Sequence, residues 1–492
     1  MMFDAVVEAV AHHAKHTGKK NAVIINDALI TYEELWLKIQ QYAAVLSKRG
    51  IQSGDKVILS SNYTERFIEV YLAVHWIGAI NVVVDKTASI NSISQLVQDI
   101  SPNLIILNQP EEGAESYEIF SETGPVILES SFSPDALADI LFTTGTTGMP
   151  KGVMLSHRNE VAGAYNVING GQMTLNDVNL LTMPLHHAFG LTTLRAVLYE
   201  GGTAVLQEGV ASLKKTNENI KKNHCNCIYM VPAALRVLYF HTRQRLDLLF
   251  ENVEKIEFCT APLDKKMRIV LSEQLKGIRL YNSYGATESA RSVYMRLDKN
   301  TDKTDAIGQA VQDVSICIVD EERKVINSSR QNVGHLAVRG GMNMMGYYHD
   351  PQMTEQVLDK GIFYSEDLGY MDEEGYIYLV GRNNDVINIG GEKVSPFEIE
   401  NCALEYSGVQ ECACIGVKDP NDVLGFVPVL YIKEEIGYKI DINDLRKNLM
   451  AHLEDYKIPY EIIVIDEIPK NHIGKLDRES LKKSWELQKI RG

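Results

Sequence analysis

The sequence predicts an α/β protein, a large N-terminal domain of stacked α/β sheets carrying a β-rich subdomain, followed by a small α+β C-terminal domain. Three observations predict it. Short runs of β-branched residues alternate with helical patterns up to about residue 300, the texture of largely parallel sheets covered by helices. Between residues 306 and 380 the helical patterns thin out and strands follow one another through turns. From residue 384 a compact unit of helices and strands appears. The resulting boundaries are 1–383, with the β-rich subdomain at about 306–383, and 384–492.

The elements follow in order. "MMFDAVVEAVAHHAKH" has no basic leader before an apolar core, so it is an amphipathic helix and not a signal peptide. "DKVILSSN" is a strand and "ERFIEVYLAVHWIGA" the helix after it. The apolar run at residues 70–84 contains His75 and Asn81 and is too short to span a bilayer; it is a buried helix and the next strand. "NLIILNQ", "PVILES" and "GTAVLQE" are further strands. "VSICIVDEERKVI", "VGHLAVRG" and "EGYIYLVGR" build the β-rich part. In the last unit, "SPFEIENCALEYSGV" opens with Ser395 and Glu398 spaced as a capping box and Pro396 at the first helical position. "VQECACIGVKD" and "FVPVLYIKE" are strands, and "DINDLRKNLMAHL" is a helix with Leu445, Leu449 and Leu453 on one face.

Bulk properties narrow the function. With 45% hydrophobic and 23% charged residues over 492 positions, the chain is an ordinary globular protein. A net charge of −16 disfavours nucleic acid as a partner. The seven cysteines form no dense framework, which suggests reduced thiols and a cytoplasmic setting. The pairs Cys225/Cys227 and Cys412/Cys414 lie in apolar strand-like runs, and their C-x-C spacing is not that of zinc sites.

Four stretches carry chemistry. "TTGTTGMPKG", residues 143–152, follows the strand "DILFTT" and precedes the helix "SHRNEVAGAYNV". Its glycines let backbone N–H groups surround an anion, its threonines add neutral donors, and Lys151 adds a positive charge. It is not a P-loop, because Pro150 and Gly152 stand where glycine and the Mg²⁺-binding hydroxyl would be. "YNSYGATES" offers an aromatic face at Tyr284, close backbone approach at Gly285, a hydroxyl at Thr287 and a hard oxygen ligand at Glu288. Asp367 follows a short apolar segment and Arg382 closes the next strand, "EGYIYLVGR"; a carboxylate suits a ribose diol. Lys475 in "PKNHIGKLDR" follows a glycine in a broken segment, from which it can reach another domain's site.

Together and in this order, "TTGTTGMPKG", "PLHHAFG", "YGATE", "GRNNDVINIGGEKVSPFEIE" and "GKLDR" resemble the adenylate-forming superfamily of acyl-CoA synthetases, nonribosomal-peptide adenylation domains and beetle luciferases. The likeness covers nearly the whole chain. It implies that ATP and a carboxylate give acyl-AMP and pyrophosphate, and that a thiol then displaces AMP. It implies that Thr143, Thr144, Gly145, Thr146, Thr147, Gly148 and Lys151 cradle the β- and γ-phosphates. Tyr284, with Ala261, Pro262 and Gly285, would hold adenine; Thr287 would contact the α-phosphate and Glu288 would hold Mg²⁺. Asp367 and Arg382 would hold the ribose, and His187 would sit beside the reacting carboxylate. Lys475 would bridge that carboxylate and the α-phosphate, then leave as the C-terminal domain rotates about a hinge at Asn384. Gly390 and Gly391 would then help form the pantetheine tunnel. Three positions depart from the family pattern. Asn384 replaces the usual acidic or basic hinge residue, "INVVVDKTASI" replaces a proline-rich segment, and "CTAPL" a glycine-richer one.

"PLHHAFG" has no aspartate to pair an ammonium, so an α-amino acid is disfavoured. Met183, Phe189 and Leu191 suggest an apolar acyl pocket with Ser283 at its edge, which favours a fatty or aryl monocarboxylate. Arg291 either meets a polar or anionic substrate end or forms an ion pair supporting the Glu288 loop. The acceptor is CoA or, alternatively, the phosphopantetheine arm of an acyl carrier protein. Readings from other classes are a P-loop-like phosphotransferase, which lacks its Ser/Thr at Gly152, and a non-catalytic nucleotide-binding homologue, which would dispense with Lys475 or Glu288.

Overall fold

The computed structural model describes residues 3–88, 90–108, 113–120, 129–143, 151–259, 263, 265–303, 305–382, 385–389, 392–420, 424–435, 437–470 and 476–491. Its first sheet has a parallel centre built from Thr203–Leu206, Val178–Leu181, Cys227–Met230, Lys255–Phe258 and Arg279–Ala286. Four of these strands, Thr203–Leu206, Cys227–Met230, Lys255–Phe258 and the start of Arg279–Ala286, are short and largely buried, as parallel strands covered on both faces must be. The order then turns antiparallel through Ser289–Arg296 and Ala306–Ala310 to Ile377–Arg382, Ile362–Met371, Gly334–Arg339 and Ser315–Val319. The β-rich stretch is therefore continuous with this sheet through Ala306–Ala310.

A second sheet orders Gly346–Tyr347, Lys151–Ser156, Leu137–Thr143, Ile80–Val84, Lys56–Ser60 and Leu104–Leu107. Helices Glu65–Trp76 and Ala188–Glu200 are apolar almost all round and bury nearly every residue, as a layer with neighbours on both sides requires. One apolar core joins Val83, Leu141 and Val153 of the second sheet to Leu181, Ala204 and Tyr229 of the first through these helices.

A charged network threads that core. Asp139 accepts hydrogen bonds from Tyr71 Oη (2.9 Å), His75 Nε2 (2.8 Å) and the Arg195 guanidinium. Arg195 also donates from Nε to Tyr71 Oη at 2.9 Å and lies 3.0 Å from Glu160. Burial pushes Asp139 up, but Arg195 and His75 outweigh it and hold the carboxyl below its ordinary value. Burial pushes the Glu160 carboxyl well above its own. The His157 ring packs edge-on against His75 at 4.9 Å, and burial together with His75 pushes it down to about 3. His75, His157 and Glu160 bring ligand-capable atoms within 4.8 Å of one another. Arg195 already occupies Glu160, however, and a second cation there would meet a fixed guanidinium. The cluster ties Glu65–Trp76, His157–Gly170 and Ala188–Glu200 to the strand Leu137–Thr143.

The C-terminal unit packs the helices Pro396–Glu405 and Ile442–His452 on the strands Val409–Lys418, Phe426–Glu434 and Glu461–Val464. Leu445 and Leu449 are buried there; Leu453 caps the helix end and packs on the same core. The expected capping box is absent. Ser395 is the N-cap residue with Pro396 after it, but its hydroxyl donates to the Val380 carbonyl instead. Glu398 turns outward to Arg330 (2.8 Å) and Lys457 (2.9 Å). A tertiary acceptor and two cations outbid the local cap. Among the described residues no helix is long and apolar enough to cross a membrane.

Candidate active site

A cleft of about 1,600 Å³ runs between the sheets of the large unit and the helix Pro396–Glu405 of the small one. Thr143 and Lys151 face each other across an antiparallel strand pair at its edge. The strand Lys151–Ser156 between the loop and the helix is a departure from the expected strand–loop–helix order. The strands on either side of the loop pair antiparallel, which is not the strand-to-helix order a P-loop phosphotransferase needs. Sequence periodicity missed this strand because "KGVMLS" is short and runs directly into the helix capped by Ser156 and Asn159.

Lys151 Nζ lies 5.6 Å from the centroid of the Tyr347 ring. Tyr347 Oη donates to Glu288 Oε1 at 2.8 Å. Burial and Glu288 hold that phenol well above its ordinary value, so it stays a donor. Thr287 and Glu288 form the turn between Arg279–Ala286 and Ser289–Arg296, pinned by Met344 N–H donating to the Glu288 carbonyl at 2.9 Å. One cleft thus holds a cation, a hydroxyl and a carboxylate.

Tyr284 and Asp367 meet on the same wall, with Tyr284 Oη donating to Asp367 Oδ2 at 2.5 Å. Asp367 is the cross-strand partner of Arg382. Gly285 is required where it stands, because a Cβ there would lie 2.3 Å from the Arg291 nitrogen.

His187 is the N-cap of helix Ala188–Glu200, whose first residues line the cleft and place the positive end of the helix dipole there. The adjacent His186 is held by Ser61 Oγ at 3.1 Å and Asp85 at 3.0 Å. Met183, Phe189 and Ser283 also line the cleft. Ser283 Oγ donates to Glu257 Oε1 at 2.7 Å. Arg291 lines the cleft, and its Nε faces Glu257 Oε1 at 3.4 Å.

Thr144, Gly145, Thr146, Thr147, Gly148, Ala261, Pro262, Asn384, Gly390, Gly391 and Lys475 lie outside the described residues, as does the side chain of Arg382. Sequence reasoning missed Tyr347, Glu257, Ser61 and Asp85. None sits in a motif, and each reaches its partner across at least 26 residues of chain.

The AMP-binding enzyme family model matches residues 10–348, and that of its C-terminal domain matches residues 398–475. This chain belongs to the AMP-binding enzyme family. It is 29% identical over 484 residues to a 2-succinylbenzoate–CoA ligase of Oceanobacillus iheyensis, covering 94% of this chain and 96% of the relative. It is 26% identical over 504 residues to the 4-coumarate–CoA ligase CCL1 of Humulus lupulus, covering 94% and 91%. Among solved structures, the o-succinylbenzoate CoA synthetase of Bacillus subtilis, in complex with an acyl-adenylate intermediate, superposes with a TM-score of 0.86 at 25% identity, covering 96% of this chain and 97% of that one. The chain is an adenylate-forming ligase, and the expected α/β architecture with a smaller C-terminal domain is that of its relatives.

Proposed function

We propose that this protein joins a carboxylic acid, of aryl type, to AMP at the expense of ATP and transfers the acyl group to the thiol of CoA. The observation that carries this is the convergence of Lys151, Thr287, Glu288, Tyr284 and Asp367 on one cleft whose opposite wall belongs to the C-terminal unit. The CoA acceptor and the aryl acid are supported by the names of the relatives.

An acid oxygen attacks the α-phosphorus of ATP, the bond to pyrophosphate breaks, and acyl-AMP forms. The CoA sulfur then attacks the acyl carbon, and AMP leaves with the electrons of the broken C–O bond. Tyr284 offers a face to adenine while its hydroxyl holds Asp367 toward the ribose diol. Lys151, over Tyr347, neutralises the departing pyrophosphate, and Thr287 donates to the α-phosphate. Glu288 fits Mg²⁺, which takes one or two carboxylates plus phosphate oxygens, and Tyr347 keeps that carboxylate aimed into the cleft. When bound there, the ion would supply charge neutralisation on the phosphates. His187 and the helix start beside it align the reacting carboxylate. Lys475 would bridge carboxylate and α-phosphate, with Asn384 as the hinge that withdraws it and Gly390 and Gly391 entering for the thiol step.

Carboxylate-dependent ATP–pyrophosphate exchange across a panel of acids tests the first half-reaction; silence with every acid removes it. Lys475→Ala is expected to abolish acyl-AMP formation while sparing CoA transfer from supplied acyl-AMP. Equal loss of both steps overturns the assignment of Lys475.

A further inference from the structure

The strands Arg279–Ala286 and Ser289–Arg296 pair regularly up to Tyr284↔Val293, then slip so that the next pair is Ala286↔Ser289. Arg291 lies in the slipped segment with φ +53°, a left-handed conformation that costs a non-glycine residue. Such bulges re-aim side chains beside sites, and strained residues persist where their surroundings demand them. Here the strain places a guanidinium, 3% exposed, on the cleft wall.

Its donors are unevenly used. Nη2 donates to Thr193 Oγ1 at 2.7 Å and to the Phe189 carbonyl at 3.4 Å, and Nε faces Glu257. Nη1 has no acceptor among the described residues. Glu257 is itself occupied by Ser283 Oγ and by Tyr294 Oη at 3.1 Å. The guanidinium carbon sits 3.9 Å from the Phe189 centroid and covers that ring. An acyl chain reaching this wall therefore meets N–H donors stacked on the Phe189 ring.

Resting on acid activation in this cleft, we propose that Arg291, backed by Glu257, receives a neutral hydrogen-bond acceptor, such as a keto, ether or amide oxygen, at the end of the acid remote from the reacting carboxylate. An alkyl tail would bury unpaired N–H groups, which costs more than the contact returns. A second carboxylate would be stripped of water and brought toward the Glu257 carboxyl, which already faces this guanidinium at 3.4 Å. A neutral acceptor satisfies the donor without importing charge.

The test is exchange kinetics with 3-phenylpropanoate and its ring-acetyl and ring-carboxylate derivatives. The best acetyl derivative is expected to exceed the unsubstituted acid in kcat/KM by about tenfold or more, and to exceed every carboxylate derivative. Arg291→Met should collapse that ratio toward one. The double variant Glu257→Gln/Arg291→Met should do the same without leaving a lone buried carboxylate. An unchanged ratio in both variants, or a wild-type preference for the unsubstituted or dicarboxylic acid, overturns the subsite while acid activation stands. Absence of exchange with any acid overturns acid activation itself, and the subsite with it.

Discussion

Arg195 and Arg291 are two arginines buried to nearly the same degree, 2% and 3% exposed, yet their surroundings differ in kind. Arg195 is closed in by Tyr71, Asp139 and Glu160 on regular helix and strand backbone. Arg291 sits in a backbone slip, holds one carboxylate at 3.4 Å and lines a cavity. The first arginine is shut inside the core among groups of helix and strand, and the second opens on the cleft at a cost in backbone strain, so the first serves the architecture and the second stands where a ligand can reach it.

The contrast can be broken at several points. Arg195→Met leaves two buried carboxyls without their cation and should cost about 3–5 kcal/mol in urea denaturation; a loss below about 1 kcal/mol would place it with the cleft arginine. Glu288→Gln should lower ATP–pyrophosphate exchange by about 10²–10³-fold while the urea midpoint stays put, since Glu288 is a turn residue on the cleft wall. A shifted midpoint would make Glu288 architectural.

The third point is the pH profile. His157 is pushed from 6.5 down to about 3, so the unfolded chain takes up a proton below 6.5 that the folded protein refuses. Its contribution is complete above pH 6.5 and is lost as pH falls toward 3, at about 1.4 kcal/mol per pH unit. His157→Leu should flatten the stability–pH curve between pH 6.5 and 5 by roughly that slope; parallel curves would refute the assignment. The smallest expected effect is Tyr347→Phe, which removes one hydrogen bond to Glu288 and should raise the KM for MgATP about 3- to 10-fold with kcat kept. A fall in kcat instead would move Tyr347 from orienting Glu288 to acting in the reaction.

What the chain discloses by itself follows from how local the signal is. Strands such as Cys227–Met230 and Ile80–Val84 are legible because burial on both faces demands continuous β-branched or apolar runs. The cleft residues Tyr284, Thr287, Glu288 and Lys151 are legible because they stand in short stretches where glycine, hydroxyl and charge lie close together in the chain. Glu257, Tyr347 and Asp85 were silent, since their roles exist only once distant strands are brought together. Ser395 shows the opposite failure. Its spacing to Glu398 is that of a cap, but the Val380 carbonyl was the better acceptor. The charged core was equally hidden: His75 and Asp139 stand in apolar runs, with nothing local to say that Arg195 would meet them.

Glu398 is shared by Arg330 of the β-rich region and by Lys457 of its own unit. If the small unit swings, Arg330 is the partner left behind and Lys457 travels with Glu398. The carboxylate would pass from two escorts to one, and the cation left behind, Arg330, is already largely exposed, so water would take over its solvation.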